Sequence, residues 1–218
     1  YSMSSCCHAL RQYDDALKYA HEALIIRENT PGKESIDYAK SLNSIASLYF
    51  LLEKYDNAIN YGQQALDLFS KLETKNSSNY VEALSNLATY YYYSGNINTA
   101  ISLHYDARNI NEQLYGKLSS NYATALNNIA LCHSYLGNKD KAIEYLIESL
   151  NIKEQLSGKI NQDYAISLNN LATCYTSLAN YNKAISCLKE VLNIYEELFE
   201  NTHPDYATFL NNLAANYN

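Results

Sequence analysis

The stretch Tyr38-Ala39-Lys40-Ser41-Leu42-Asn43-Ser44-Ile45-Ala46 decides the architecture, because its framework returns every 42 residues. Tyr38 has counterparts in Tyr80, Tyr122, Tyr164 and Tyr206. Leu42 recurs as Leu84, Leu126, Leu168 and Leu210, and Ala46 as Ala88, Ala130, Ala172 and Ala214. A second alanine series runs Ala16, Ala58, Ala100, Ala142 and Ala184. A fixed period of this length means one supersecondary unit stacked on copies of itself, a solenoid in which each unit buries its apolar face against its neighbours. Function in such a chain lies on the surface that stacking creates.

Within one period, Leu42, Ile45, Ala46 and Tyr49 fall at i, i+3, i+4 and i+7, one stripe of an α-helix. A break follows at Glu53-Lys54-Tyr55. Asp56 and its counterparts Asp14, Asn98, Asp140 and Asn182 are expected to cap a second helix, since Asp and Asn side chains accept from the free N–H groups of a first turn. That second helix carries Ala58, Ile59, Ala65, Leu66, Phe69 and Leu72. Gly95 and Gly137 stand where the first helix needs a left-handed residue, and Gly116 and Gly158 close the second. Ser77, Ser119 and Asn161 are placed to cap the next first helix, with Pro204 at its first position. The prediction is an all-α chain of antiparallel hairpins, helix A of about 16 residues and helix B of about 18. A partial A (1–10) and a B (13–30) come first; successors begin near 36, 78, 120 and 162, and a last A begins near 204. One continuous array spans residues 1–218. Ala46 and Ala58 let the two helices of a hairpin approach closely, where bulkier side chains would overpack.

Composition bounds the partners. Charge of −7 argues against nucleic acid, whose backbone requires clustered Lys and Arg. Tyrosine is abundant (23, against 4 Phe and no Trp), largely because it occupies repeated positions. Five cysteines, Cys6, Cys7, Cys132, Cys174 and Cys187, include no C-x-x-C pair; the odd number fits a reducing, cytoplasmic setting, and Cys132 and Cys174 read as small hydrophobes one period apart. No apolar run reaches the ~18–20 residues that span a bilayer, so no membrane partner is expected. Tyr1 is not a natural start and Asn218 falls inside a repeat, as in a fragment of a longer chain.

The pattern Leu-x-x-Ile/Leu-Ala-x-x-Tyr, followed twelve residues after its alanine by another alanine, resembles the tetratricopeptide repeat. Its longer unit is similar to the repeats of kinesin light chains, and His203-Pro204-Asp205-Tyr206-Ala207-Thr208-Phe209-Leu210-Asn211-Asn212-Leu213-Ala214 is very similar to that subclass's signature. Such arrays also occur in bacterial multidomain proteins, before caspase-like peptidase or nucleotide-binding domains. Two departures stand out: His133 replaces the signature Tyr, and Thr74 and Ser94 weaken one repeat's loop pattern. The resemblance implies a right-handed superhelical solenoid whose A helices line a concave groove.

By that resemblance the groove positions follow the signature leucine: Asn43-Ser44, Ser85-Asn86, Asn127-Asn128, Asn169-Asn170 and Asn211-Asn212. A ladder of primary amides offers paired donors and acceptors to the backbone of an extended peptide. The resemblance gives peptide contact to Asn86, Asn128, Asn170 and Asn212, beside Asn127 and Asn169. The other reading is that these amides bond neighbouring helices. Tyr92, Tyr93 and Tyr135 lie further along the face as candidate anchors. Lys40 and Glu82 are the charged groove entries, so a basic clamp for a chaperone's terminal carboxylate is missing.

No catalytic, metal or cofactor site is predicted. Cys132 and His133 are adjacent on a helix and diverge by ~100°. Cys6-Cys7-His8 lacks a fourth ligand. His21, His104 and His203 occupy unrelated positions and read as surface or packing residues. The expected function is a non-catalytic scaffold binding a protein or peptide segment. The alternative is a regulatory array controlling an attached effector domain, such as a caspase-like peptidase. End-to-end self-association is a further possibility, since open repeat ends carry apolar faces.

Overall fold

A computed structural model describes residues 3–73, 75–199 and 203–217, with side chains from Gln12 onward except Pro31. Thr74 and the side chains of Cys6, Cys7 and His8 therefore lie outside the described residues. The described residues form ten α-helices, a short π-helical turn at Glu28–Gly32 and no strand. Helix α1 runs Met3–Arg27, followed by α2 (Ile36–Leu51), α3 (Tyr55–Leu72), α4 (Ser78–Tyr93), α5 (Ile97–Tyr115), α6 (Ser120–Tyr135), α7 (Lys139–Ser157), α8 (Gln162–Ser177), α9 (Tyr181–Phe199) and α10 (Pro204–Ala215). Even-numbered helices up to α8 are A helices of 16 residues, and α3, α5, α7 and α9 are B helices of 18 or 19.

Capping sets these boundaries. The side chains of Ser35, Ser77, Ser119 and Asn161 each accept from the backbone N–H of Tyr38, Tyr80, Tyr122 and Tyr164, and His203 caps α10 with Pro204 at its start. Each A helix ends in one left-handed residue: Glu53, Gly95, Gly137 or Ala179. Its N–H donates to the carbonyl three residues back, and the next N–H to the carbonyl five back, as in Lys54 to Tyr49 and Asn138 to His133. These paired bonds satisfy the helix's last carbonyls. Gly116 and Gly158, also at positive φ, close α5 and α7 as expected.

Two expectations are corrected. Asp56 and Asp140 do not cap helix B; they sit one residue inside it, after Lys54 and Asn138, which make no side-chain cap bond. Asn98 and Asn182 likewise fall one residue inside α5 and α9, with Asp14 in the middle of α1. The turn leaves a single residue between the left-handed position and helix B, in neither case with the extended backbone a capping side chain needs (φ −88°, ψ 68° at Lys54; φ −81°, ψ 62° at Asn138). The two carboxylates instead face the positive end of the helix dipole. The expected break near residues 11–12 is also absent, because α1 is continuous. Arg11 occupies the period position of Glu53, Gly95, Gly137 and Ala179, and since Glu53 and Ala179 make the left-handed turn without glycine, the residue type at 11 does not explain the continuous helix.

The chain divides into two compact units, residues 1–114 and 115–218. In the first, Leu42, Ile45, Ala58, Phe69, Leu84 and Leu87 build the core. In the second it is built by Ala130, Ala142, Leu146, Leu168, Val191 and Tyr195. The alanines Ala46, Ala58, Ala88, Ala100, Ala130, Ala142, Ala172 and Ala184 are all buried, as are Leu84, Leu126 and Leu168. That agrees with the proposed register. The equivalence ends at α10, where Leu210 is 44% exposed and Ala214 is exposed. Among the described residues no helix B packs on α10, and helix B is what covers the stripe elsewhere.

Candidate functional site

The amide ladder is built by neighbouring A helices, whose signature leucines point inward and leave the next two residues at the edge of the contact. In the first unit, Asn86 Nδ2 on α4 donates to Asn43 Oδ1 on α2 at 3.5 Å, and Asn43 Nδ2 donates to Glu82 Oε1 at 3.4 Å. In the second, Asn170 Nδ2 on α8 donates to Asn127 Oδ1 on α6 at 3.2 Å, and Asn212 Nδ2 on α10 to Asn169 Oδ1 at 3.2 Å. Asn128 is half-buried on α6, and Asn127 is buried. The amides thus bond neighbouring helices in one direction. Each pair uses one carbonyl and one NH2; Asn43 Nδ2 is also taken, by Glu82, whereas among the described residues the Nδ2 of Asn127 and Asn169 stay available.

Beneath the Asn127–Asn170 pair lies a buried cation. Lys153 on α7 donates from Nζ to Ser167 Oγ at 2.7 Å and to the Asp163 carbonyl at 3.0 Å. Ser167 Oγ in turn donates to Asn127 Oδ1 at 3.1 Å. Burial pushes the Lys153 pKa down, opposed by the nearby Asp163 carboxylate. In the first unit, Arg27 takes the equivalent place, donating to Ser41 Oγ and to the Asp37 carbonyl.

The tyrosine candidates separate. Tyr92 and Tyr93 join Phe50, Tyr55 and Tyr90 in one aromatic cluster, with centroids 5.1 Å apart for Phe50–Tyr93 and 5.3 Å for Tyr92–Tyr93. Tyr93 is 55% exposed; Tyr90 is buried, its hydroxyl 3.0 Å from Ser47 Oγ. Tyr135, the period counterpart of Tyr93 in the second unit, is 65% exposed. Tyr93 and Tyr135 each stand seven residues after a ladder asparagine, Asn86 and Asn128, two turns along the same helix face.

The described histidines and the cysteines Cys132 and Cys174 pack within the fold. Cys132 and Cys174 are buried and free, and burial pushes the Cys132 thiol up to about 11, far from a nucleophile's range. His104 is buried, its pKa pushed down to about 4 by desolvation. His21 packs between Tyr49 and Tyr61, and His203 against Tyr195 and Phe199. His133 keeps the signature tyrosine's role: it stacks on Tyr145 at 5.7 Å as Tyr49 stacks on Tyr61 at 5.4 Å. Among the described residues no three His, Cys, Asp or Glu side chains gather as a metal site, and no helix is long and apolar enough to cross a membrane.

A tetratricopeptide repeat family model matches residues 1–71, 80–155 and 163–218. The chain belongs to the tetratricopeptide repeat family. Its fold is similar to BtubC (BKLC) from P. vanneervenii, at 23% identity and a TM-score of 0.78 over 95% of this chain and 82% of that one. It is also similar to the nearly identical TPR-like repeats of a Podosopora anserina kinesin light chain, at 18% identity and a TM-score of 0.69, over 82% and 84% of the two chains. The apo form of RapI matches at 19% identity and a TM-score of 0.73; the alignment covers 91% of this chain but 53% of RapI. No curated protein matches the sequence.

Sequence reasoning missed the cation–serine pairs of this tetratricopeptide array, Lys153–Ser167 buried and Arg27–Ser41 half-buried, although a signal existed. Positions 27, 69, 111, 153 and 195 read Arg, Phe, Asn, Lys and Tyr, and positions 41, 83, 125, 167 and 209 read Ser, Ala, Ala, Ser and Phe. Serine appears only opposite a cation. A buried ammonium or guanidinium needs an acceptor, and alanine supplies none.

Proposed function

We propose that this chain is a non-catalytic interaction scaffold that binds an extended peptide segment of a protein partner along its A helices. Asn86, Asn128, Asn170 and Asn212 contact the peptide backbone, with Asn127 and Asn169 beside them, and Tyr92, Tyr93 and Tyr135 serve as aromatic anchors. The observation that carries the reading is the state of the amide pairs. Among the described residues, Asn127 Nδ2, Asn169 Nδ2, Asn170 Oδ1 and Asn212 Oδ1 have no protein partner, while the opposite group of each amide is bonded to a neighbour. Such a row of rigidly held donors and acceptors suits an extended backbone, whose N–H and C=O groups must be matched on leaving water. The free thiols Cys132 and Cys174 fit a reducing compartment such as the cytoplasm.

The test begins by selecting peptides from a random displayed library against the 218-residue chain. The affinity of the best peptide is then measured for the wild type and for Asn128→Ala/Asn170→Ala. A loss of about 1–3 kcal/mol is expected, with little change in Tm, because each lost partner leaves a peptide group unsatisfied. Added salt is expected to weaken binding slightly, since the face holds few charges to screen. Failure to select any peptide, or unchanged affinity with a collapsed Tm, would show that the ladder serves the helices alone.

A further inference from the structure

Lys153 is 9% exposed and is a donor only, with three N–H bonds to place and no acceptor to offer. One of those bonds occupies Ser167 Oγ at 2.7 Å, so the buried hydroxyl's single proton is directed away from Lys153, to Asn127 Oδ1 at 3.1 Å. Asn170 Nδ2 supplies the second bond to the same oxygen at 3.2 Å. With both lone pairs of Asn127 Oδ1 engaged, its NH2 is turned the other way. Turning the Asn127 amide over would set its NH2 against the Asn170 NH2, donor against donor.

We propose that Lys153 is a positioning residue that fixes the polarity of the Asn127–Asn170 pair, so that this step of the array presents a donor from Asn127 beside an acceptor from Asn170. That pair matches the C=O and N–H of an extended peptide backbone. The peptide clause rests on the function proposed above; the lock itself does not. Ser167 transmits the polarity, because a hydroxyl that accepts from an ammonium must donate elsewhere. The Arg27–Ser41 pair of the first unit does not transmit it, since Ser41 Oγ returns its proton to the Asp37 carbonyl at 3.1 Å. There the Asn43 amide is oriented by the acceptor-only carboxylate of Glu82 at 3.4 Å. Each unit thus sets its amide polarity with a group of fixed hydrogen-bonding sense.

The experiment compares Lys153→Met, similar in length but apolar, with Lys153→Arg, which remains a donor only. Side-chain amide NMR of Asn127 in the unliganded protein is expected to give one sharp NH2 pair in the wild type and in K153R. In K153M the pair is expected to double or broaden, as Ser167 becomes free to accept from Asn127. N-acetylglycine N-methylamide, a peptide-backbone probe without a side chain, is then titrated. Its shifts of the Asn127 signals are expected to be several-fold smaller at equal concentration in K153M than in the other two. A single unchanged Asn127 pair in K153M would overturn the lock. Doubling in K153M with no response to the probe in any protein would uphold the lock and overturn the peptide match. If K153M does not fold, K153M/S167A, which copies the apolar-with-alanine combination of Phe69 and Ala83, removes cation and transmitting hydroxyl together. The Asn127 pair is again expected to double or broaden, and a single sharp pair there would overturn the lock.

Discussion

The residue that ends each A helix shows how one backbone requirement can be met by different side chains at a price. Four equivalent positions carry a left-handed residue, at φ 57° for Glu53, 87° for Gly95, 83° for Gly137 and 55° for Ala179. All four make the same pair of backbone bonds, so the conformation is dictated by the turn and not by the residue. An L-residue with a Cβ pays roughly 1–2 kcal/mol there that glycine avoids. Glycine loses part of that advantage because its unfolded chain is freer. Glu53→Gly and Ala179→Gly are therefore each expected to stabilise the protein by roughly 0.5–1 kcal/mol, and Gly137→Ala to destabilise it by a similar amount, read as a change in Tm. If Ala179→Gly lowers Tm, the left-handed turn is not the strained element. Gly95 and Gly137 made the left-handed residue legible in the sequence, whereas at Glu53-Lys54-Tyr55 the break was legible but its left-handed backbone was not, and Ala179 carried neither signal. The Asp56 series misled for a related reason: Asp favours both the cap and the first turn, and only the backbone of the preceding residue separates the two.

At the scale of the element, the hairpins are copies in spacing but not in filling. Position 62 is Gly, and its counterparts are His104, Leu146 and Leu188; position 90 is Tyr, with counterparts Cys132, Cys174 and Asn216. Sizes compensate. A Cβ at Gly62 would sit 3.2 Å from the Tyr90 ring and 3.4 Å from Leu87, so the missing side chain is the space the ring fills. In the second unit Leu146 meets the small Cys174 at one hollow, and Leu188 meets Asn216 at another. Gly62→Leu alone is expected to overpack and destabilise by about 1–3 kcal/mol, and Tyr90→Cys to leave a cavity at a larger cost of about 3–5 kcal/mol. The double variant recreates the Leu146–Cys174 combination. It is expected to be more stable than the sum of the single losses predicts, with a coupling of about 1–3 kcal/mol from denaturant unfolding. Simple additivity would show that the two positions do not share their volume. The period, the helix boundaries and the alanine contacts were legible because every repeat states them alike. Gly62–Tyr90, Lys153–Ser167 and the direction of the amide bonds were not, because each is written once or twice and emerges only when columns 28, 14 or 43 residues apart are read together.

For the molecule as a whole, stability in a repeat protein is a sum of local terms, in which each hairpin is held by its immediate neighbours. The burial pattern carries that signature. Ala172 is 1% exposed beneath its partner helix, while Ala214, one period later and with no helix B upon it among the described residues, is exposed. The same substitution at these two positions is therefore expected to have unequal effects. Ala172→Leu forces α8 and α9 apart and is expected to destabilise by about 1–3 kcal/mol, whereas Ala214→Leu is expected to fall within about 0.5 kcal/mol of the wild type. Hydrogen exchange distinguishes local from global damage. In Ala172→Leu, amides of α8 and α9 are expected to lose protection first, then those of α7 and α10, with α2, α3 and α4 of the other compact unit close to their wild-type rates. A uniform loss of protection from α2 to α10 would mean that the chain opens as one cooperative body, and the nearest-neighbour account would fail. Local opening carries a functional consequence. The Asn127–Asn170 and Asn169–Asn212 pairs each join successive A helices, so a hairpin that opens at Ala172 releases amides of both pairs, while Asn43 and Asn86 keep theirs.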